Sequence, residues 1–423
     1  MRVAPRSKPL VPHCSVIGAV WEREVFLLHA CLELGGEKAM FTDKMILRIP
    51  GPTPIPPRVQ QAMNQPMIGH RSGKFSALFA RTAERLKPYF GTTQDVYILA
   101  GSGTSALEMG VVNTLQPGDE AAILVSGAFG GRFAKICERY GIIAHRLEVA
   151  WGEAVTPELL EAFLKEKPQV KAVFATYCET STGVQNPIAE LAQVIRQNSD
   201  ALFIVDAVSC LGAVACEMDA WGVDIVVTGS QKAFMLPTGL AFLAASERAW
   251  KIIEQNKTLA FYLDLKAYRK SLADQTTPYT PAVSLIFGLA EVLDILDEEG
   301  LPAVIKRHEL MRDMTRAAMR ALNVPLMAED AYGATTVTSC DPQGAFDAEA
   351  LRKVLTKQYN ITIAGGQQHL KGKIFRIGHM GYCEPLDVLQ VISAIEMSLH
   401  QIGAPVELGA GVKAAQEVLI AHV

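Results

Sequence analysis

Lys232 stands where a lysine has little water to face. In the stretch VDIVVTGSQKAFMLPTG it follows Val226-Val227 across a Gly-Ser-Gln turn and precedes Ala233-Phe234-Met235-Leu236. Desolvation lowers the pKa of an amine and leaves it nucleophilic, which is what a Schiff-base lysine needs. Asp206 closes the apolar run of ALFIVDAVSCLGA, where a strand delivers a carboxylate at its end. A carboxylate at that place also serves as a helix cap or anchor, so both roles stay open for this residue taken alone. Arg376 lies in GKIFRIGHMG with Phe375 and Ile377 facing the other way. A guanidinium on such a strand needs a carboxylate or phosphate against its fork, either an internal acid or the α-carboxylate of a substrate. The fourth arrangement is GSGTS at 101–105, where an apolar run turns into a helical pattern. The free N–H groups of that helix start, with the hydroxyls of Ser102, Thr104 and Ser105, form a cradle for an anion.

An anion cradle, an amine ready to take an electrophile, a carboxylate and an arginine together match pyridoxal 5′-phosphate. The lysine binds the aldehyde carbon, the aspartate keeps the pyridine nitrogen protonated, and the helix start takes the phosphate. The same G-x-G-x-x-A pattern also suits a dinucleotide, but that reading wants an acid at the end of the next strand. Here Asp119 and Glu120 precede the run AAILV, and its end is Ser126-Gly127.

These residues sit at the ends of elements that the patterning specifies. Apolar runs Val96–Ala100, Ala121–Val125, Ala172–Thr176, Leu202–Val205, Asp224–Thr228 and Leu240–Ala244 alternate with helical stretches. Such alternation predicts a largely parallel sheet covered by helices, with functional loops at the carboxyl ends of the strands. A helical region over about 283–322 leads to a second α+β pattern: ATTVTSCDP, a helix at 347–358, NITIAGG, KIFRIGHMG and a helix at 385–401. We expect an extension over 1–44, an N-terminal arm over 45–69, a large cofactor-binding domain over 70–295 and a small domain over 296–423. The proline-rich IPGPTPIPP of the arm favours extended backbone and then a helix start. The extension, basic at first and interrupted by EREV, reads as a poorly ordered segment or as sequence ahead of the working start, and nothing after Met45 needs it.

Composition narrows the function class. In 423 residues with a formal net charge of −4 there is no basic surface for nucleic acid or anionic membrane. The cysteines at 14, 31, 137, 178, 210, 216, 340 and 383 are scattered, with no C-x-x-C pair and no zinc spacing, as expected of reduced thiols in a cytoplasmic protein. HELMR at His308 lacks the second histidine of a zinc motif and reads as the polar face of a helix. No metal is expected.

From about residue 48 onward the chain resembles the class V, fold-type I aminotransferases, in the alanine–glyoxylate and serine–pyruvate branch. The motifs GPTPIPP, GSGTSALE, GAFGGR, ETSTGVQNP, VDAVSCLG, GSQKA, TPAVSL and FRIGHMG occur in the family's order. The resemblance implies an α/β fold with a mostly parallel seven-stranded sheet between helices and a smaller α+β domain. It further implies that Lys232 is the Schiff-base lysine and Asp206 the pyridinium partner, and that Ser102, Gly103, Thr104 and Gln231 hold the phosphate. Phe129 stacks on the ring, Thr180 bonds near the ring oxygen, and Arg376 with the Gly51 backbone holds the substrate carboxylate. Thr277 and Thr280, in TTPYT, reach the phosphate of a neighbouring subunit in a homodimer. The animal glyoxylate enzymes carry Trp in place of Phe129 and His in place of Thr104, so the ring platform and phosphate edge differ here. The implied reaction moves an amino group from alanine or serine to glyoxylate. Alternatives on the same scaffold are a ureidoglycine–glyoxylate or aminophosphonate transaminase, or a cysteine desulfurase-like lyase. No second cation is evident for a side-chain carboxylate, which argues for small donors.

Overall fold

The structure is a computed structural model and describes residues 44–258 and 260–422. The expectations for the extension lie outside the described residues, apart from Lys44. The central sheet has seven strands, which run in space from Val96–Gly101 through Gly239–Ala245, Ile225–Gly229, Leu202–Asp206, Ala172–Thr176 and Glu120–Val125 to Ile143–Glu148. Gly239–Ala245 is antiparallel to both neighbours, and the remaining pairings are parallel. Helices cover both faces, so the inner strands are apolar at every position rather than alternately. Along Leu202–Asp206, Phe203 and Val205 join one core, and Leu202 and Ile204 the other.

Six of these strands follow the sequence expectation to within a residue or so. Ile143–Glu148 does not appear in it. This is an edge strand with partly exposed His145 and Arg146, and it lacks the apolar run that marks its neighbours.

The smaller sheet contains Val337–Cys340, Phe375–Gly378, Ile361–Gly365 and, at its edge, Ile46–Arg48. This first strand pairs in parallel with the start of Ile361–Gly365, register Ile46 to Ile361, so the beginning of the described chain completes the sheet of the C-terminal domain. Arg48 is buried there and forms an ion pair with Asp387 at 2.8 Å. Met311, Met314, Leu351, Phe375 and Ile395 fill the small-domain core.

The helical region expected over 283–322 divides at Gly300, where φ is +82°, into Val283–Glu299 and Leu301–Ala321. The second helix corrects the expectation for HELMR, because His308 is buried rather than on a polar face. One ring nitrogen meets Val304 O at 2.7 Å, and the other accepts from Gly381 N–H at 3.0 Å. A terminal helix, Ala410–Ala421, is also new. Its start is held by Glu396, which accepts from the N–H groups of Gly409, Gly411 and Val412 at 2.7–2.9 Å.

Candidate active site

Three strand ends and one helix start converge. The strand Val96–Gly101 passes through Ser102 into the helix Gly103–Thr114, whose N-cap Ser102 makes no side-chain cap bond. Ser105 N–H donates to Ser102 O at 2.8 Å, which leaves the N–H groups of Gly103 and Thr104 to face an anion. The strand Leu202–Asp206 ends on its carboxylate, and Ile225–Gly229 leads through Ser230 and Gln231 to Lys232.

Ser102, Gly103, Thr104, Phe129, Arg132, Cys178, Thr180, Asp206, Val208, Gln231 and Lys232 line a cavity of about 130 Å³. A second, more open cavity of about 640 Å³ lies against it and shares Phe129, Thr180 and Lys232. Gly51 and Arg376 also line this second cavity. Ten of the twelve expected site residues are thus brought together. Thr277 and Thr280 line neither cavity; the Thr277 hydroxyl donates to Tyr279 O at 2.6 Å.

Lys232 sits at the junction of the two cavities. Burial lowers its amine from 10.5 to about 8, with Asp206 opposing that shift and Arg376 adding to it. Its Nζ donates to Pro50 O, and its backbone carbonyl accepts from Thr53 Oγ1 at 3.0 Å. Gly51 presses on it, since a Cβ there would stand 2.4 Å from Lys232 Cδ, and the φ of +89° favours glycine as well. The Gly51 N–H, expected to face a substrate carboxylate, donates instead to Ile49 O at 2.7 Å.

Asp206 Oδ1 accepts from Val208 N–H at 2.9 Å, and burial raises its carboxyl from 3.8 to about 6. Arg376 is also buried. It donates from Nε to Gly365 O at 2.8 Å and from Nη1 to Thr180 O at 2.7 Å, and desolvation lowers its pKa to about 10.

Sequence reasoning missed two supports. Glu179 is fully buried and accepts from the N–H groups of Phe129, Gly130 and Ser181 at 2.9–3.1 Å, so its carboxylate anchors the helix Ala128–Arg139 that presents Phe129. Desolvation raises its pKa. Its signal was an acid ahead of Thr-Ser-Thr-Gly, inside a motif already noted. Arg132 stacks on the Phe129 ring, 4.7 Å from its centre, and donates to Thr104 Oγ1 at 3.3 Å.

The family model described as "Aminotransferase class-V" matches residues 46–383. The chain belongs to the class V aminotransferases. Among curated relatives of this aminotransferase, the Synechococcus protein named "Soluble hydrogenase, small subunit" is 44% identical, over 89% of this chain and 99% of that one. The L-aspartate–glyoxylate aminotransferase of Paracoccus denitrificans is 36% identical over 89% and 96%. Among solved structures, the ureidoglycine–glyoxylate aminotransferase of Bacillus subtilis superposes with a TM-score of 0.84 at 30% identity, covering 90% and 100%.

The cofactor of this class V aminotransferase is pyridoxal 5′-phosphate, and the small cavity fits it. An uncapped helix start with Arg132 beside it suits a phosphate. Gln231 Oε1 is buried without a hydrogen-bond partner among the described residues. Asp206, desolvated and without an ion pair among the described residues, suits a protonated ring nitrogen. No helix of the described residues is long and apolar enough to cross a membrane.

Proposed function

We propose that this aminotransferase moves the amino group of a small amino acid, alanine or serine, to glyoxylate in a ping-pong cycle that yields glycine and an oxo acid. One observation carries the reading: a half-buried lysine whose desolvated amine is brought down to about 8 lies between the cavity of Asp206 and the cavity of Arg376. Both the Paracoccus relative and the Bacillus neighbour are named for glyoxylate, which supports the acceptor.

Bound pyridoxal phosphate supplies an electron sink for the bonds at the substrate α-carbon. The chain supplies the rest. In this reading Lys232 would hold the cofactor, and its Nζ, when free, would take the substrate α-proton as general base. An amine titrating near 8 has enough free base for that work at neutral pH and remains basic enough to hold the proton. Asp206 holds the proton on the ring nitrogen. Ser102, Gly103, Thr104 and Gln231 bind the phosphate, Phe129 lies on the ring and Thr180 bonds near the ring oxygen. Arg376 fixes the substrate carboxylate. Thr277 and Thr280, outside both of these cavities, serve the phosphate end of a second copy in a cytoplasmic homodimer.

The lyase alternative needs a reactive cysteine. Cys340 is fully buried, and desolvation holds its thiol far above the ordinary range, which disfavours it for that part.

A donor panel against glyoxylate and pyruvate tests the proposal, with glycine and alanine measured as products. Alanine or serine with glyoxylate is the expected pair, and no glycine from any donor would overturn the reading. Borohydride reduction followed by mass mapping is expected to place the cofactor on Lys232.

A further inference from the structure

The large cavity is more cationic than a small neutral donor requires. Lys232, Arg352, Lys371 and Arg376 line it against the single carboxylate of Glu349. The sequence alone shows no second cation for an acidic donor, and the fold supplies two. Arg352, on the helix Ala348–Tyr359, reaches across to the strand Ile361–Gly365 and donates from Nε to Ile363 O at 3.1 Å. Its guanidinium lies against Gly365, where an added Cβ would come within 2.7 Å of Nη1. The Gly365 carbonyl in turn accepts from Arg376 Nε at 2.8 Å, so one glycine separates the two guanidiniums.

Arg352 is held in reserve: its Nη1 bonds both oxygens of Glu349 at 2.7 Å. Lys371 lines the same wall and makes no ion pair among the described residues.

We propose that Lys371 and Arg352 form a subsite for a second carboxylate, so that the enzyme takes α-amino dicarboxylates, aspartate or glutamate, as donors beside small amino acids. Glu349 is the internal stand-in for that carboxylate. With alanine or serine bound, it neutralises Arg352. With an acidic donor, the substrate carboxylate meets Lys371 and the free edge of Arg352. Lys371 and Arg352 are therefore specificity residues, and the bonds made and broken are those of the transamination already proposed, on which this inference rests.

The readout is the ratio of kcat/KM for aspartate to that for alanine, with glyoxylate as acceptor. In the holoenzyme aspartate is expected to yield glycine at a measurable rate beside alanine, so that the ratio is well above background. Lys371→Gln is expected to lower it about tenfold, through KM, because a charged hydrogen bond to the distal carboxylate is lost. Glu349→Gln is expected to move it the other way by freeing Arg352. Two opposite shifts distinguish recognition from general damage to the fold. Calorimetry with maleate, a dicarboxylate that cannot react, gives a readout apart from turnover: Lys371→Gln weakens maleate relative to acetate. If alanine or serine reacts and neither acidic donor does, or if both variants leave the ratio unmoved, the subsite is overturned and the transaminase reading stands. If no donor of any kind yields glycine, the transaminase reading itself falls.

Discussion

Asp206 is a carboxylate that the fold holds against its preference for water. Burial raises its pKa from 3.8 to about 6, so the folded chain binds the proton more tightly than the unfolded chain does. Below pH 3.8 both states are protonated and the group is neutral to stability. Between 3.8 and 6 stability falls as pH rises, and above 6 the charged group costs roughly 3 kcal/mol, at about 1.4 per pH unit of difference. Asp206→Asn keeps an acceptor for the Val208 N–H and removes the charge. Urea titration of the cofactor-free variant is therefore expected to show a gain of up to that size at pH 8, shrinking to nothing near pH 4. The same variant is expected to lose turnover about 10³-fold. An unchanged midpoint at pH 8 would contradict the desolvation account. Lys232 has the opposite charge and the same cause. In cofactor-free protein, competitive labelling with acetic anhydride is expected to place its half-reactivity near pH 8, while surface lysines follow near 10.4. Both residues were legible in the sequence because each interrupts an apolar run at a strand end. Arg352 and Lys371 were not, because their meeting depends on a helix crossing a strand, which no local pattern encodes.

Among the elements, the helix Ala128–Arg139 depends on a residue from outside it. Glu179 closes its first turn from the hairpin that follows Ala172–Thr176, with its carboxylate also 2.5 Å from Ser181 Oγ. Glu179→Ala leaves the N–H groups of Phe129, Gly130 and Ser181 without that partner. The expected loss is about 1–3 kcal/mol in urea unfolding, with weaker cofactor retention in dialysis because Phe129 rides on the freed turn. Full stability in this variant would remove the anchoring role. The inner parallel strands could be read from sequence because burial on both faces writes a continuous apolar run. The edge strand Ile143–Glu148 could not, since only Ala144 and Leu147 pack on the cores, and the backbone ladder to Glu120–Val125 with the His145–Glu120 contact at 2.5 Å holds the rest. Likewise Ala410–Ala421 owes its start to Glu396 on another helix, and Gly300 divides two helices whose apolar periodicity runs on.

For the whole molecule, the site lies where the two sheets approach, and Arg376 of the small sheet reaches Thr180 O beside the large one. Near the phosphate end, Phe261 is 83% exposed and packs on Tyr279, while the neighbouring Tyr262 hydroxyl donates to Ala100 O just before the cradle. An aromatic so exposed at that place suits a second copy. Sedimentation is expected to give twice the 45.9 kDa chain mass, and Phe261→Asp to shift it towards the monomer with faster loss of cofactor. A wild-type monomer with full activity would refute the dimer. The proline-rich arm was legible in the helix start at Pro57, but not in the bend at 49–52 or in its attachment to the last third of the chain, because a strand as short as Ile46–Arg48 leaves almost no periodicity to read. That attachment also sets an order of events during synthesis. Ile46 to Arg48 leave the ribosome early, yet their partner strand does not exist until Ile361 to Ile363 have been made. The nascent chain must carry this segment unpaired through the assembly of the entire large sheet. This edge is thus made from residues translated some three hundred positions ahead of their partner strand, and a fragment begun beyond Arg48 would leave the edge Ile361–Gly365 bare to any other chain in reach.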